Sequence, residues 1–348
     1  MRYILDIPFE LADQLNRLLE TRPEKYRSPQ DFFLAAIQNQ VYLESQEPGS
    51  TTFASQRSDF VDYSQPVASA ISAMELLQLP SDLSNAKTVP LSDCLRDDYL
   101  WGQYNRIFPV KVAVRVALNL ARTKQAEYLP LAVLHEDAAR AARMLGREIE
   151  REEKDTGRKR GEIISAGLPI GRAQDKAKLR FQNHFIGYLS RRNDDSGSKP
   201  RVGGAAPTLR FLDIKKDDRS IVAGLTELGL KFASMPNPVI ESHDYSTPFS
   251  AQEIDFLLDH IATQLPAEAK LIHLVLSCIK KGTASPNDLN AEVRSFNPKW
   301  KGSEPVTMRS GVVSRISELG LLVREKDGVK VTYKLTELGA KYLARLGE

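Results

Sequence analysis

Cysteine is scarce in this chain of 348 residues. The only two, Cys94 and Cys278, are too far apart for a metal-binding pair and too few for a disulfide framework. The five histidines, His135, His184, His243, His260 and His273, have no ligand spacing, and His135-Glu136 lacks the second histidine of a zinc-helix motif, which leaves His135 as a surface helix residue. No Walker loop, GxGxxG, CxxC, HExxH or GxSxG occurs. Asp213 and Lys215 in "LDIKK" echo half of a nuclease site, but no upstream carboxylate accompanies them and a strand explains them better. The expectation is therefore a protein that is not an enzyme, with no catalytic residues, no cofactor and no metal. Long apolar runs are missing too, and the opening "MRYILDIPFE" has no apolar signal region, so a cytoplasmic protein without membrane partners is expected.

Net charge is small but unevenly spread. Residues 1–100 hold 8 Lys+Arg against 15 Asp+Glu, a balance of −7, which leaves +10 on the remainder of a chain whose total is +3. A cationic C-terminal two-thirds points to a polyanionic partner. The densest stretch, residues 140–192, carries 14 basic and 7 acidic residues, among them the cluster Arg158, Lys159 and Arg160.

The chain also repeats itself. "LTELGLK" at Leu225–Lys231 returns 110 positions later as "LTELGAK" at Leu335–Lys341, with six of seven residues identical. Each copy closes a similar run of helices and an extended segment. In the later run, "SAQEIDFLLDHIATQL" opens on a capping box, Ser250 with Glu253, and "SPNDLNAEVRS" on Ser285 followed by Pro286. A third helix over 307–319 places Met308, Val312, Ile316 and Leu319 on one face and Thr307, Ser310, Ser314 and Ser317 on the other, flanked by Arg309 and Arg315. Small hydroxyls allow close approach to a groove while arginines reach phosphates or base edges. The segment "LLVREKDGVKVTYKL" predicts a hairpin turning at Asp-Gly, with Arg324, Lys326, Lys330 and Lys334 along it.

The earlier run contains the helix "PVKVAVRVALNLAR", a long second helix from Pro130, and a third, "KAKLRFQNHFIGYLSRR". That third helix sets Leu179, Ile186 and Leu189 on one side and Arg180, Phe181, His184, Tyr188 and Arg191 on the other. The aromatic-basic side suits nucleic acid, or both sides are buried between neighbours. "NDDSGSKPRVGGAAP" reads as a long wing or linker before a strand "TLRFLDI". Ahead of this run, Tyr99, Trp101, Tyr104 and Phe108 form an aromatic cluster, either an interface staple or a stacking box.

Helix, helix, helix, basic hairpin and closing helix resemble the winged-helix regulators of bacteria and archaea. At the N-terminus, the alternating "RYILDIP", the apolar helix "FELADQLNRLLE" and a second helix capped by Ser28-Pro29 resemble the ribbon-helix-helix family. That resemblance implies pairing of strands between two chains, with dimerisation or base reading as the module's task. The expected fold is mainly α with small β hairpins (α+β): a ribbon-helix-helix-like dimerisation module over 1–46, a linker with one short helix over 47–98, a first winged-helix domain over 99–240 and a second over 248–348. The resemblances imply a sequence-specific, nucleoid-associated transcriptional regulator that binds double-stranded DNA as a homodimer. The DNA-binding residues would be Arg158, Lys159, Arg160, Arg180, His184, Arg191, Thr307, Arg309, Ser310, Ser314, Arg315, Arg324, Lys326 and Lys330. A plasmid- or phage-type replication initiator and a non-catalytic scaffold with protein partners in a larger complex are the alternatives.

Overall fold

The repeated heptad is one structural joint built twice. A computed structural model describes residues 71–158, 163–170, 174–190, 199–218, 220–327 and 330–347, all within one compact unit. The ribbon-helix-helix expectation over 1–46 lies outside the described residues. Among those described, small antiparallel sheets accompany a helical majority, an α+β arrangement.

The first copy contains helix α1 (Phe108–Lys124), a short strand β1 (Leu129–Pro130), helix α2 (Leu131–Asp155), helix α3 (Gln174–Phe181) running into a π-helical turn (Gln182–Ile186), strands β2 (Tyr188–Ser190) and β3 (Arg201–Gly203), helix α4 (Ala205–Thr208), hairpin β4 (Leu212–Asp217) and β5 (Ser220–Leu225), and closing helix α5 (Glu227–Ser234). A one-turn helix α6 (Pro238–Glu241) leads to α7 (Ala251–Gln264). The second copy follows as α8 (Pro266–Lys280), α9 (Pro286–Phe296), α10 (Glu304–Glu318), hairpin β6 (Leu322–Asp327) and β7 (Lys330–Leu335), and closing helix α11 (Glu337–Gly347). The first sheet runs β1-β5-β4, while β2-β3 and β6-β7 are separate ribbons.

A shift of 110 positions carries the register of one hairpin onto the other. Leu212 faces Leu225 and Asp217 faces Ser220, as Leu322 faces Leu335 and Asp327 faces Lys330. Thr226 caps α5 by accepting from the Gly229 amide at 3.0 Å, and Thr336 accepts from the Gly339 amide at the same distance. Each threonine hydroxyl also donates, at 2.6 Å, to the carbonyl of the left-handed residue ending the preceding helical segment: Arg210 (φ 58°) in one copy, Gly320 (φ 73°) in the other. A Cβ on Gly229 would stand 2.0 Å from the Phe211 carbonyl oxygen, and one on Gly339 would stand 1.9 Å from that of Leu321. The heptad recurs because the closing helix touches backbone at its glycine and admits no side chain there.

Helix α1 is buried on every side, polar residues included. Lys111, Arg115 and Asn119 form an i, i+4, i+8 stripe whose task is to bind carbonyls. Lys111 Nζ donates to Phe232 and Met235, Arg115 to Ala233, Met235 and Leu77, and Asn119 Nδ2 to Leu76 and Gln78. The stripe thereby holds the free C-terminal carbonyls of α5. Burial lowers the Lys111 pKa to about 8, opposed by Glu253 of α7 at 2.8 Å. Of the short helix expected within 47–98, the described residues show a single turn at 73–77; the stretch beyond it is a wrap on the first copy. Val89 donates to the Leu225 carbonyl, and Ser92, Arg96 and Tyr128 surround the fully buried Asp213. Asp213 is thus a structural anchor, and Lys215 lies 3.9 Å from the centre of the Tyr128 ring.

Three further expectations are corrected. The strand "TLRFLDI" begins only at Leu212, because Ala205–Thr208 turn as a helix. The expected wing or linker contains the strand β3, paired with β2. In the third helix of the first copy, the π turn breaks the 3.6-residue period, so Phe181, Phe185 and Ile186 are buried, Leu179 is 55% exposed, and Tyr188 and Leu189 belong to a strand. Among the described residues, no helix is long and apolar enough to cross a membrane.

Candidate nucleic-acid interface

The strap 99–107 between the wrap and α1 crosses the second copy and determines which face of α10 remains open. The amide of Leu100 donates to Glu268 Oε2 on α8 (2.9 Å), while Gly102 crosses α10 backbone to backbone at Gly311. The stripe Met308, Gly311, Arg315 and Glu318 therefore faces the strap, and Met308, Val312, Ile316 and Leu319 face the core. What remains is the hydroxyl face.

Arg315, expected among the DNA contacts, is buried, with 1% of its surface exposed. Its Nη2 lies 2.7 Å from Glu268 Oε1, and its guanidinium donates to the carbonyls of Leu100 and Tyr104. This is a structural clamp, since a buried guanidinium needs a partner for each donor. Glu318, three residues on, accepts from the amides of Ile107 (2.6 Å) and Phe108 (3.2 Å), placing a carboxylate at the N-terminus of α1. Burial raises the Glu318 pKa, and Arg106 is the largest opposing influence.

The open face of α10 looks into a trench between the two copies. One cavity of ≈ 590 Å³ is bordered by Arg106, Arg180, Arg309 and Arg324, with Ser310, Ser314 and Ser317 along α10 and Ala166 and Gly167 among its other lining residues. A second, of ≈ 890 Å³, shares Arg106, Ile163, Ser317, Leu322 and Arg324 with the first and adds Arg158 and Lys326. Residues 163–167 are held in place from α2, where the buried Glu153 accepts from the Ile164 amide and from both the amide (3.0 Å) and hydroxyl (2.5 Å) of Ser165. None of these six cations forms an ion pair with a described residue. Among the described residues lining the two cavities, the one carboxylate is Glu318. Arg309 Nε donates to Asn290 Oδ1 at 3.0 Å, which orients its guanidinium.

The structure thus brings together Arg158, Arg180, Arg309, Ser310, Ser314, Arg324 and Lys326 from parts of the chain up to 168 positions apart. Thr307 lies on another side, in a cavity with Trp101 and Tyr104, and Lys330 is exposed at the hairpin end. His184 is half-buried, its ring 5.8 Å from that of Tyr104, with its pKa lowered by burial and by Arg180. Lys159, Arg160 and Arg191 lie outside the described residues. His135 is no free surface histidine: its Nε2 is 2.9 Å from the Gly187 carbonyl oxygen, and burial holds its pKa down to about 4. Arg106 and Asn105 carry no signal in the sequence beyond their place within the aromatic cluster of Tyr99, Trp101, Tyr104 and Phe108. No family model, curated protein or solved structure matches this chain.

Proposed function

We propose that this protein binds nucleic acid, DNA in the first instance, through two tandem winged helices. The observation that carries the reading is the trench: among the described residues, six cations from both copies line one concavity, without ion-pair partners and with one carboxylate beside them. Unpaired arginines around serine hydroxyls and an open helix face suit phosphate oxygens, which accept from both. The order helix, short strand, helix, helix and, after the β2-β3 ribbon and the short helix α4, hairpin, with β1 joining the hairpin at β5, supports the winged-helix assignment in the first copy. In the second copy, the Tyr333 amide donates to the Ala284 carbonyl at 3.0 Å, the counterpart of that pairing. Regulation of transcription by a homodimer joined through 1–46 is the biological role most in keeping with this reading.

The test is fluorescence anisotropy of labelled DNA with the full chain over a range of salt. If the six trench cations meet phosphates, log affinity against log salt should fall with a slope of about −5.4 on a duplex and about −4.2 on a single strand. Replacing Arg106 and Arg324 together by Ala should make the slope shallower by about two. A protein that binds no DNA at low salt is instead a protein-contact scaffold.

A further inference from the structure

The trench is bounded by residues of both copies. Arg180 and Arg309 border one cavity alone, Arg158 and Lys326 the other alone, and Arg106 and Arg324 both. Cations spread over two adjoining cavities suit a chain of phosphates better than a single phosphate cluster. The two volumes, ≈ 590 and ≈ 890 Å³, fall within the range of about 300–1,000 Å³ of pockets that enclose small ligands. A duplex receives a helix in a major groove about 12 Å wide only when that helix stands clear of its own protein. Here the cavity that Ser310 and Ser314 line is also bounded by Ala166, Gly167 and Arg180 from the first copy. A single strand needs no such clearance.

A second observation concerns what the trench recognises. Asn105 lines the ≈ 590 Å³ cavity, and its buried Oδ1 has no hydrogen-bond partner. A buried acceptor without a donor is uncommon, and this one would gain a donor from a ligand on turning of the Asn105 side chain into the cavity that the residue lines. The exocyclic amino and ring imino groups of unpaired bases are such donors, and they are accessible only when the base is out of a duplex.

We propose that the trench between the repeats is a seat for a short run of single-stranded nucleic acid, with phosphates along the arginine line and a base edge donating to Asn105. This rests on the nucleic-acid reading above and specifies its form. A mononucleotide would share the chemistry but would engage only part of the line.

Anisotropy with the full chain at low salt separates the cases, using a labelled single-stranded oligonucleotide, the same sequence as a duplex, and ATP as competitor. The single strand should bind at least roughly tenfold tighter than the duplex. Ser314→Trp, which fills the trench, should weaken single-strand binding roughly tenfold or more. Ser310→Trp at an exposed position of the same face serves if the first variant does not fold, as judged by circular dichroism and urea unfolding. Duplex binding as tight as single-strand binding, with no effect of a folded tryptophan variant, overturns the seat and leaves DNA binding standing. Displacement of the strand by ATP at equal phosphate concentration overturns it in favour of a free nucleotide. Absence of binding to either nucleic acid overturns both readings.

Discussion

Replacing Arg315 by Met separates a structural role from a nucleic-acid contact. The side chain is 1% exposed and donates to Glu268 through Nε (3.0 Å) and Nη2 (2.7 Å), to the Tyr104 carbonyl at 2.9 Å and to the Leu100 carbonyl at 3.1 Å. Removing it leaves the Glu268 carboxylate buried with the Leu100 amide still donating at 2.9 Å, and leaves strap carbonyls without their donor. Breaking a buried pair on one side costs about 3–5 kcal/mol, because the remaining charge is uncompensated. The retained amide bond and the well-matched volume of Met place the expected loss near about 3 kcal/mol. Urea unfolding of the wild type, Arg315→Met, Glu268→Gln and the double variant provides the assay. The double variant should lose less than the sum of the two single losses, since it buries no orphan charge. Nucleic-acid affinity per folded molecule should stay within about twofold, the contact being absent. A loss of stability under about 0.5 kcal/mol, the level of an ordinary surface change, together with a large fall in affinity, would refute the clamp and restore Arg315 to the interface.

Gly339→Ala and Gly229→Ala should each destabilise by about 3 kcal/mol in the same assay, since the new methyl meets a backbone oxygen that cannot move aside; near-neutral results would mean the heptad recurs for some other reason. Burial is the main cause that lowers the His260 pKa from 6.5 to about 4, so folding favours the neutral ring. Its contribution is present above pH 6.5 and lost as pH falls towards 4, amounting to about 3 kcal/mol. His260→Gln, which can still donate to the Leu209 carbonyl, should flatten the pH dependence of unfolding by close to one proton in that window, and an unchanged slope would contradict the assignment. Deleting residues 1–46 should convert a dimer to a monomer in sedimentation, and a truncated chain that remains dimeric would remove the pairing role from that segment.

The joint at the end of each copy was legible in the sequence because it is local. Thr caps an amide three residues on, Gly marks where backbone meets backbone, and flanking leucines fix the hairpin register, so the shared "LTELG" of the heptad contains most of its own explanation. The capping box at Ser250-Glu253 and the Ser285-Pro286 start were legible for the same reason. The hydroxyl face of α10, Thr307 excepted, also followed from helical spacing, which needs only one element. Which charged residues stay in water was decided elsewhere. Lys111, Arg115 and Asn119 have the spacing of a solvated stripe, and Arg315 that of a groove reader, yet all four are buried because remote segments bring carbonyls and carboxylates to them. No pattern along the chain encodes those arrivals, since the partners lie up to 215 positions away. Burying a cation is favourable only when several such partners converge, and convergence belongs to the packed fold. The trench is its counterpart: Arg106, Arg158, Arg180, Arg309, Arg324 and Lys326 are scattered in sequence, and packing one copy against the other makes them a single surface.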